Sequence, residues 1–285
     1  MISATNPDSP SHWAYKYFIE DKKRDRRVYY SVTEDNPFLD PLYIQGLKRD
    51  LDPKMARRML YGEWLEIARD VVYHAYSKEL NFKDQDYEIN PNLPIDLCFD
   101  FNIGEGKPMS TCVGQDEAAK DTLHIFDEAV IPGTDTEMMM HEWASRGLFE
   151  HKNMFRIYGD ATGASRTTKS KHSDYDIIKQ FLDNYRRQDG SRVLYIMNVP
   201  RSNPPIRTRH NRVNAYCKNE LGNSRLFLYR KCKVAEKGMR LTALKQGGNY
   251  IEDDSKEYQH VTTALGYYVV HASNTRGLVK ISIQG

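Results

Sequence analysis

The chain has 285 residues, enough for one large hydrophobic core or two modest ones. With 40% hydrophobic residues, 28% charged residues and a formal net charge of +2, it is neither a disordered low-complexity chain nor a polycation of the histone kind. No run approaches the ~18 apolar residues of a membrane span, the first ten residues lack the basic flank and apolar stretch of a secretory signal, and Cys98, Cys112, Cys217 and Cys232 form no C-x-x-C pair, which argues against a zinc ribbon or a disulfide framework.

In chain order, the residues to about Glu66 read as a polar segment with Asn36-Pro37-Phe38-Leu39-Asp40-Pro41, then short helices through Leu47, Leu51, Met55, Met59 and Leu60, interrupted at Pro53. Residues 67–91 show no sustained period and read as a linker. From Ile95 to Phe101 the pattern alternates strictly, which predicts a strand with Ile95, Leu97, Phe99 and Phe101 on one face and Asp96, Cys98 and Asp100 on the other. Short apolar runs at 110–114 and 122–126 predict two more strands in an antiparallel meander. Thr134 and Glu137 have capping-box spacing and predict a helix to about Arg146. Strand and helix then alternate: a strand over 154–158, a helix from Ser173 to about Arg187, a strand over 193–197, a helix over 207–218 and a strand over 226–229. A basic, hairpin-like stretch over 230–252 and a final helix over 256–271 follow. Three meandering strands succeeded by helix–strand units predict an α/β domain with a mixed sheet.

Three side chains stand out for chemistry. Asp100 is a carboxylate inside a strand, where burial is expensive unless something compensates it. Asp160 ends another strand in Ile157-Tyr158-Gly159-Asp160-Ala161-Thr162-Gly163, where glycines free the backbone to turn and leave the carboxylate at the strand's carboxyl end. On the final helix His260, Thr263 and Tyr267 share one face at i, i+3 and i+7, which would present His260 to both acids. Phosphodiester hydrolysis needs an acidified water and a neutralised leaving oxygen, and two hard cations bridged by a carboxylate supply both. Asp100 would bridge, Asp160 would hold one ion and His260 the other. Oxygen-rich coordination favours Mg²⁺ or Mn²⁺, and Glu128, just past the third strand, is an accessory candidate.

These pieces resemble the large terminase subunits of tailed bacteriophages over nearly the whole chain. Asn36-Pro37-Phe38-Leu39 and Gly62-Glu63-Trp64 resemble the end of the motor region. Phe99-Asp100-Phe101, Phe126-Asp127-Glu128, Tyr158-Gly159-Asp160-Ala161-Thr162-Gly163, Arg212-Val213-Asn214 and Gln259-His260-Val261-Thr262-Thr263-Ala264-Leu265-Gly266-Tyr267 resemble the nuclease. The resemblance implies an RNase H-like nuclease domain over 92–285, behind a remnant of the ATPase motor domain over 1–66 and the linker over 67–91. It implies a metal-dependent endonuclease that cuts concatemeric double-stranded DNA when packaging begins and ends. Its expected partners are DNA, the small terminase subunit and the portal protein of the procapsid, in the host cytoplasm and possible as an oligomer on the portal. Asp100 and Asp160 match two metal-binding acids of that family. The third match is broken, because many relatives carry an Asp where this chain has Thr263. Either His260 serves, or Glu257 or Asp254 substitutes, or one metal site is weak.

No G-x-x-x-x-G-K-[ST] motif occurs, so ATP hydrolysis is not expected of this chain. Ser3-Ala4-Thr5-Asn6-Pro7 resembles the loop before the motor's closing segment, and a truncation or a split-gene product is expected. Basic residues after the second acid, among them Arg166, Lys169, Lys171, Arg209, Arg212, Lys231, Lys233 and Arg240, are candidates for sequence-independent phosphate contacts. Two other readings are a cleavage-impaired DNA-binding or portal-docking module, suggested by Thr263, and an RNase H-like nuclease of another role such as a junction resolvase.

Overall fold

The alternation over 95–100 threads a single strand between two hydrophobic cores. In the computed structural model, which describes residues 4–282 except 11, 22, 24, 66–70, 103–106, 166–171 and 246–249, this strand is β2, Ile95–Asp100. It is preceded by a two-residue strand β1, Phe82–Lys83, and followed by β3, Pro108–Glu117, and β4, Thr122–Pro132. Then come β5, Phe155–Gly159, β6, Tyr195–Met197, and β7, Leu226–Tyr229. The sheet order is β1-β7-β4-β3-β2-β5-β6. β3 runs antiparallel to both its neighbours, and every other pairing is parallel. The carboxyl ends of β2, β5 and β6 therefore share one edge of the sheet, where sites collect in α/β folds. The expected meander and mixed sheet are both present.

Helices α5, Thr136–Ser145, and α6, Asp174–Asn184, cover one face, packing Met139, Trp143 and Ile178 on Leu97, Phe99 and Ile157. Helices α7, Ile206–Cys217, α8, Lys233–Leu241, and α9, Glu257–Ser282, cover the other, with Val213, Met239 and Leu265 against Cys98 and Cys112. All four cysteines are buried free thiols. α9 lies between the sheet and its neighbouring helices, so residues 259–269 are buried all round rather than along one stripe.

Three boundaries differ from the sequence reading. The N-cap of α5 is Asp135, whose side chain accepts from the Met138 amide, rather than Thr134. The basic stretch after β7 is not a hairpin. Its residues 233–241 form α8, whose Ala235 and Met239 face the core, and only Leu244 and Glu252 pair as an isolated bridge. Part of the expected linker is built into the sheet and its covering helices: Tyr73 is buried, Phe82 pairs with Leu228, and the buried Asn81 donates to the carbonyls of Cys217 and Leu226.

Ahead of that segment stand α1, Trp13–Tyr15, α2, Pro41–Asp50, and α3, Pro53–Met59, with α4, Lys78–Asn81, leading into β1. Asp40 and Asp52 cap α2 and α3, each with proline at the first helical position. The segment seats on the end of α7. Asn219 and Arg225 side chains donate to the Arg49 carbonyl, and the Glu220 amide donates to the Leu51 carbonyl. No described helix is long and apolar enough to cross a membrane.

Candidate active site

Two paired strands deliver the two acids. Phe99 and Gly159 are register partners of β2 and β5, so the next residues, Asp100 and Asp160, leave the sheet side by side. Gly159 permits this closeness: a Cβ there would stand 2.2 Å from the Phe99 carbonyl oxygen. The Asp160 amide then donates to that same carbonyl at 3.0 Å, locking the exit of β5 to β2. From the helix above, His260 brings its Nδ1 to 3.2 Å from Asp100 Oδ2. The structure thus joins Asp100 to both its expected companions, His260 by contact and Asp160 by strand register.

Burial raises the Asp100 pKa. His260 opposes that rise, Asp160 adds to it by like-charge repulsion, and Arg209 acts against it. Two asparagines that the sequence reading missed hold the carboxylates. Asn102 donates to Asp100 Oδ2 at 2.5 Å, and the same nitrogen lies 2.7 Å from His260 Nδ1. Asn203 donates to Asp160 Oδ1 at 2.7 Å, an oxygen that also accepts from the Thr162 amide. Asn102 sits two residues past Asp100 in the sequence and was findable there, whereas Asn203 arrives from a distant loop with no local signal. Among the described residues, Asp100 Oδ1 and Asp160 Oδ2 take part in none of these bonds. Carboxylate oxygens and an imidazole nitrogen are donors of the kind a hard divalent cation takes. Even so, among the described residues no group of three or more His, Cys, Asp and Glu side chains is gathered closely enough to chelate one.

The remaining candidates are engaged elsewhere. Glu128 caps α8: its two oxygens accept from the Val234 and Ala235 amides at 2.6 and 2.8 Å, so it serves the helix and not the acid pair. Burial outweighs those donors and pushes its pKa up to about 7. The native state therefore keeps the Glu128 proton up to about pH 7 while the unfolded chain releases it near the ordinary value of 4.5. Stability contributed here is fully present below the unfolded value and falls as pH rises through this window, by about 1–3 kcal/mol. Urea midpoints at pH 5 and 7.5 are expected to show that fall in the wild type and a much smaller one in Glu128→Gln; equal falls would refute the assignment.

Thr263 is buried, and its hydroxyl accepts from the Gln259 side-chain Nε2 at 2.8 Å. Glu257 is exposed in the first turn of α9. Asp254 is held by Lys107 and Lys245, both at 2.6 Å, which keep its carboxyl well below the usual range. Arg209, expected at a DNA surface, is instead buried and ion-paired with Glu252, because α7 turns it inward against α9. Arg212 is half-buried, while Lys231, Lys233 and Arg240 are exposed, Lys231 standing 3.6 Å from Asp127 and Arg240 pairing with Glu236. Arg166, Lys169 and Lys171 lie outside the described residues.

Residues 1–63 match the family model described as phage terminase large subunit. No curated protein matches the chain. Among solved structures, the large terminase of a thermophilic bacteriophage in complex with ATP-gamma-S is similar with a TM-score of 0.61 at 15% identity, covering 93% of this chain and 61% of that one. The P22 large terminase nuclease domain is similar with a TM-score of 0.50 at 12% identity, covering 70% of this chain and 92% of that one. At such identities the likeness is one of fold, and that fold is RNase H-like. The chain spans about three fifths of the length of the thermophilic-phage large terminases it matches.

Proposed function

We propose that this chain, which carries the phage terminase large-subunit signature over residues 1–63 and the RNase H-like fold of a terminase nuclease beyond it, is a divalent-metal-dependent endonuclease. Its substrate is the double-stranded DNA of a packaging concatemer, cut when filling of the procapsid starts and ends. The observation that carries this reading is the side-by-side exit of Asp100 and Asp160 from β2 and β5 beneath His260.

Asp100, Asp160 and His260 would hold the metal, Mg²⁺ or Mn²⁺, which when bound lowers the pKa of a water and offsets charge on the phosphate. The protein's own part is positioning. Asn102 fixes Asp100 and the His260 ring, Asn203 fixes Asp160, and the burial of Asp100 limits competing water. Exposed Lys231, Lys233 and Arg240 offer phosphate contacts that read no base. The small terminase subunit and the portal protein are the partners this role requires, with several copies assembling on the portal in the host cytoplasm. ATP hydrolysis is assigned to other parts of the packaging machine.

Supercoiled plasmid incubated with the purified chain and Mn²⁺, Mg²⁺ or EDTA tests this reading. Nicked and linear product is expected with either metal and none with EDTA, and binding should weaken steeply between about 50 and 200 mM salt. Cutting that survives EDTA would overturn it. That no three His, Cys, Asp or Glu side chains are gathered closely enough to hold a metal among the described residues favours, as a second reading, a module that binds DNA or the portal and cleaves weakly. That reading predicts salt-sensitive binding without product under any metal.

A further inference from the structure

Two lysines and one aspartate meet at the edge of the sheet from which the acids emerge. Lys107 directly precedes β3, three residues from Ser110, and Ser110 is the register partner of Asp100. Chain reach alone therefore keeps the Lys107 Cα within about 11 Å of Ser110. Lys245 and Asp254 come from the other side, just ahead of the helix that carries His260. The Lys245 amide donates to the Ile251 carbonyl at 2.8 Å and the Asp253 amide to the Ala243 carbonyl at 3.0 Å, on either side of the Leu244–Glu252 bridge. The buried Glu252 side chain, 2.7 Å from His210 Nε2, anchors that pairing to α7. The backbone thus fixes where Asp254 stands. Lys107 and Lys245 each bring Nζ to 2.6 Å from a different oxygen of it, Oδ2 and Oδ1.

Stability does not account for this triad. The side chains of Lys107, Lys245 and Asp254 are 45%, 49% and 38% exposed, and exposed ion pairs contribute little while holding long side chains still. What the triad makes is a pair of ammonium groups presented to one anion with two oxygens, with a positive charge in excess. A phosphodiester offers the same pair of charged, unbridged oxygens, and lysine binds phosphate as a point charge just as it binds carboxylate. Neighbouring Asp253 turns its Oδ1 to the Ser255 amide at 3.2 Å. We propose that Lys107 and Lys245 clamp a backbone phosphate of the DNA strand running into the acid centre, and that Asp254 fills the clamp in the free chain until that phosphate displaces it. The proposal rests on the endonuclease reading above. A reach of about 11 Å corresponds to roughly three phosphates along one strand, so the clamped phosphate lies near the scissile one and not at it. Paired carboxylates repel the backbone they are to cut, and two lysines at the same sheet edge offset that field. The weakness of an exposed bridge is what lets Asp254 yield to DNA.

The test is binding of a labelled DNA duplex to the full chain in EDTA, where nothing is cut, read by fluorescence anisotropy. Lys107→Ala and Lys245→Ala are each expected to weaken binding about three- to fivefold, and together to lower the salt slope by about two. Asp254→Asn is expected to tighten binding by a similar factor, and that gain should vanish when both lysines are alanine, because no clamp remains to be freed. A gain that persists without the lysines would mean that Asp254 acts only as a distant charge, and no gain at all would mean that it does not compete with phosphate. Either result overturns the proposal and leaves the endonuclease reading standing, since metal-dependent nicking decides that separately. A wild-type chain that neither binds duplex nor nicks plasmid would overturn both. Inorganic phosphate titrated alone into Asp254→Asn, followed by its phosphorus resonance, should show no saturable binding in the millimolar range; saturable binding lost with the two lysines would make this a site for free phosphate and overturn the assignment to DNA.

Discussion

Asp100→Asn and Asp160→Asn are each expected to slow plasmid nicking on the order of 10³-fold, the equivalent of several kcal/mol of lost charge stabilisation, with DNA retention on a filter nearly unchanged. The asparagine keeps the shape of the side chain but not its charge. Asp100 gives up Oδ2 to Asn102 and His260, so its remaining oxygen is its whole offer to a metal. Asp160 divides its oxygens in the same way between Asn203 and the open side. Asparagine keeps the volume of the aspartate it replaces, so either substitution leaves the surrounding packing in place. Asn102→Ala should cost less, about 10- to 100-fold, since it loosens a ligand without deleting one. Both aspartate variants cutting at wild-type rates would remove the acid pair from the mechanism, whatever the fold.

How far the sequence announced this site depends on how local each signal is. Asp100 and Asp160 drew attention in the sequence because a carboxylate inside a strand is costly to bury and one on a glycine-flanked strand end is left projecting, and the structure does place the two on neighbouring strands. His260 was legible through helical spacing alone. Asn203, Glu252 and the inward turn of Arg209 were not, for their roles are set by which loop meets which helix, and nothing within a few residues of them says so. Arg209 reads as one more cation in a basic run until Gly266, 57 positions later, is seen to make room for it. The basic stretch after β7 misled for a related reason: Ala235 and Met239 carry the helical period, but the lysines and arginines around them mask it. The linker misread has another origin. Residues 72–83 are held by Asn81 and Asn214 side chains bonding to backbone, a form of order that leaves no hydrophobic rhythm.

The stability of the site's floor turns on a different pair. Four residues before Asp100 on the same face of β2, Asp96 is buried and accepts two bonds from Arg156, its partner across β5, at 2.6 and 2.7 Å. Tyr268 of α9 donates to the same carboxylate at 2.7 Å. One acid therefore binds together the two strands that deliver Asp100 and Asp160 and the helix that delivers His260. Arg156→Met should cost about 3 kcal/mol in urea unfolding, near the low end for a broken buried pair, because the arginine keeps 26% side-chain exposure and some water reaches it. The penalty comes mainly from the carboxylate left without its cation, not from the lost attraction itself. Removing that carboxylate as well, in Arg156→Met with Asp96→Leu, should recover most of the loss. If the double variant is as unstable as the single, the cost lies in packing between β2 and β5, and the charge pair is incidental to how the acid centre is held.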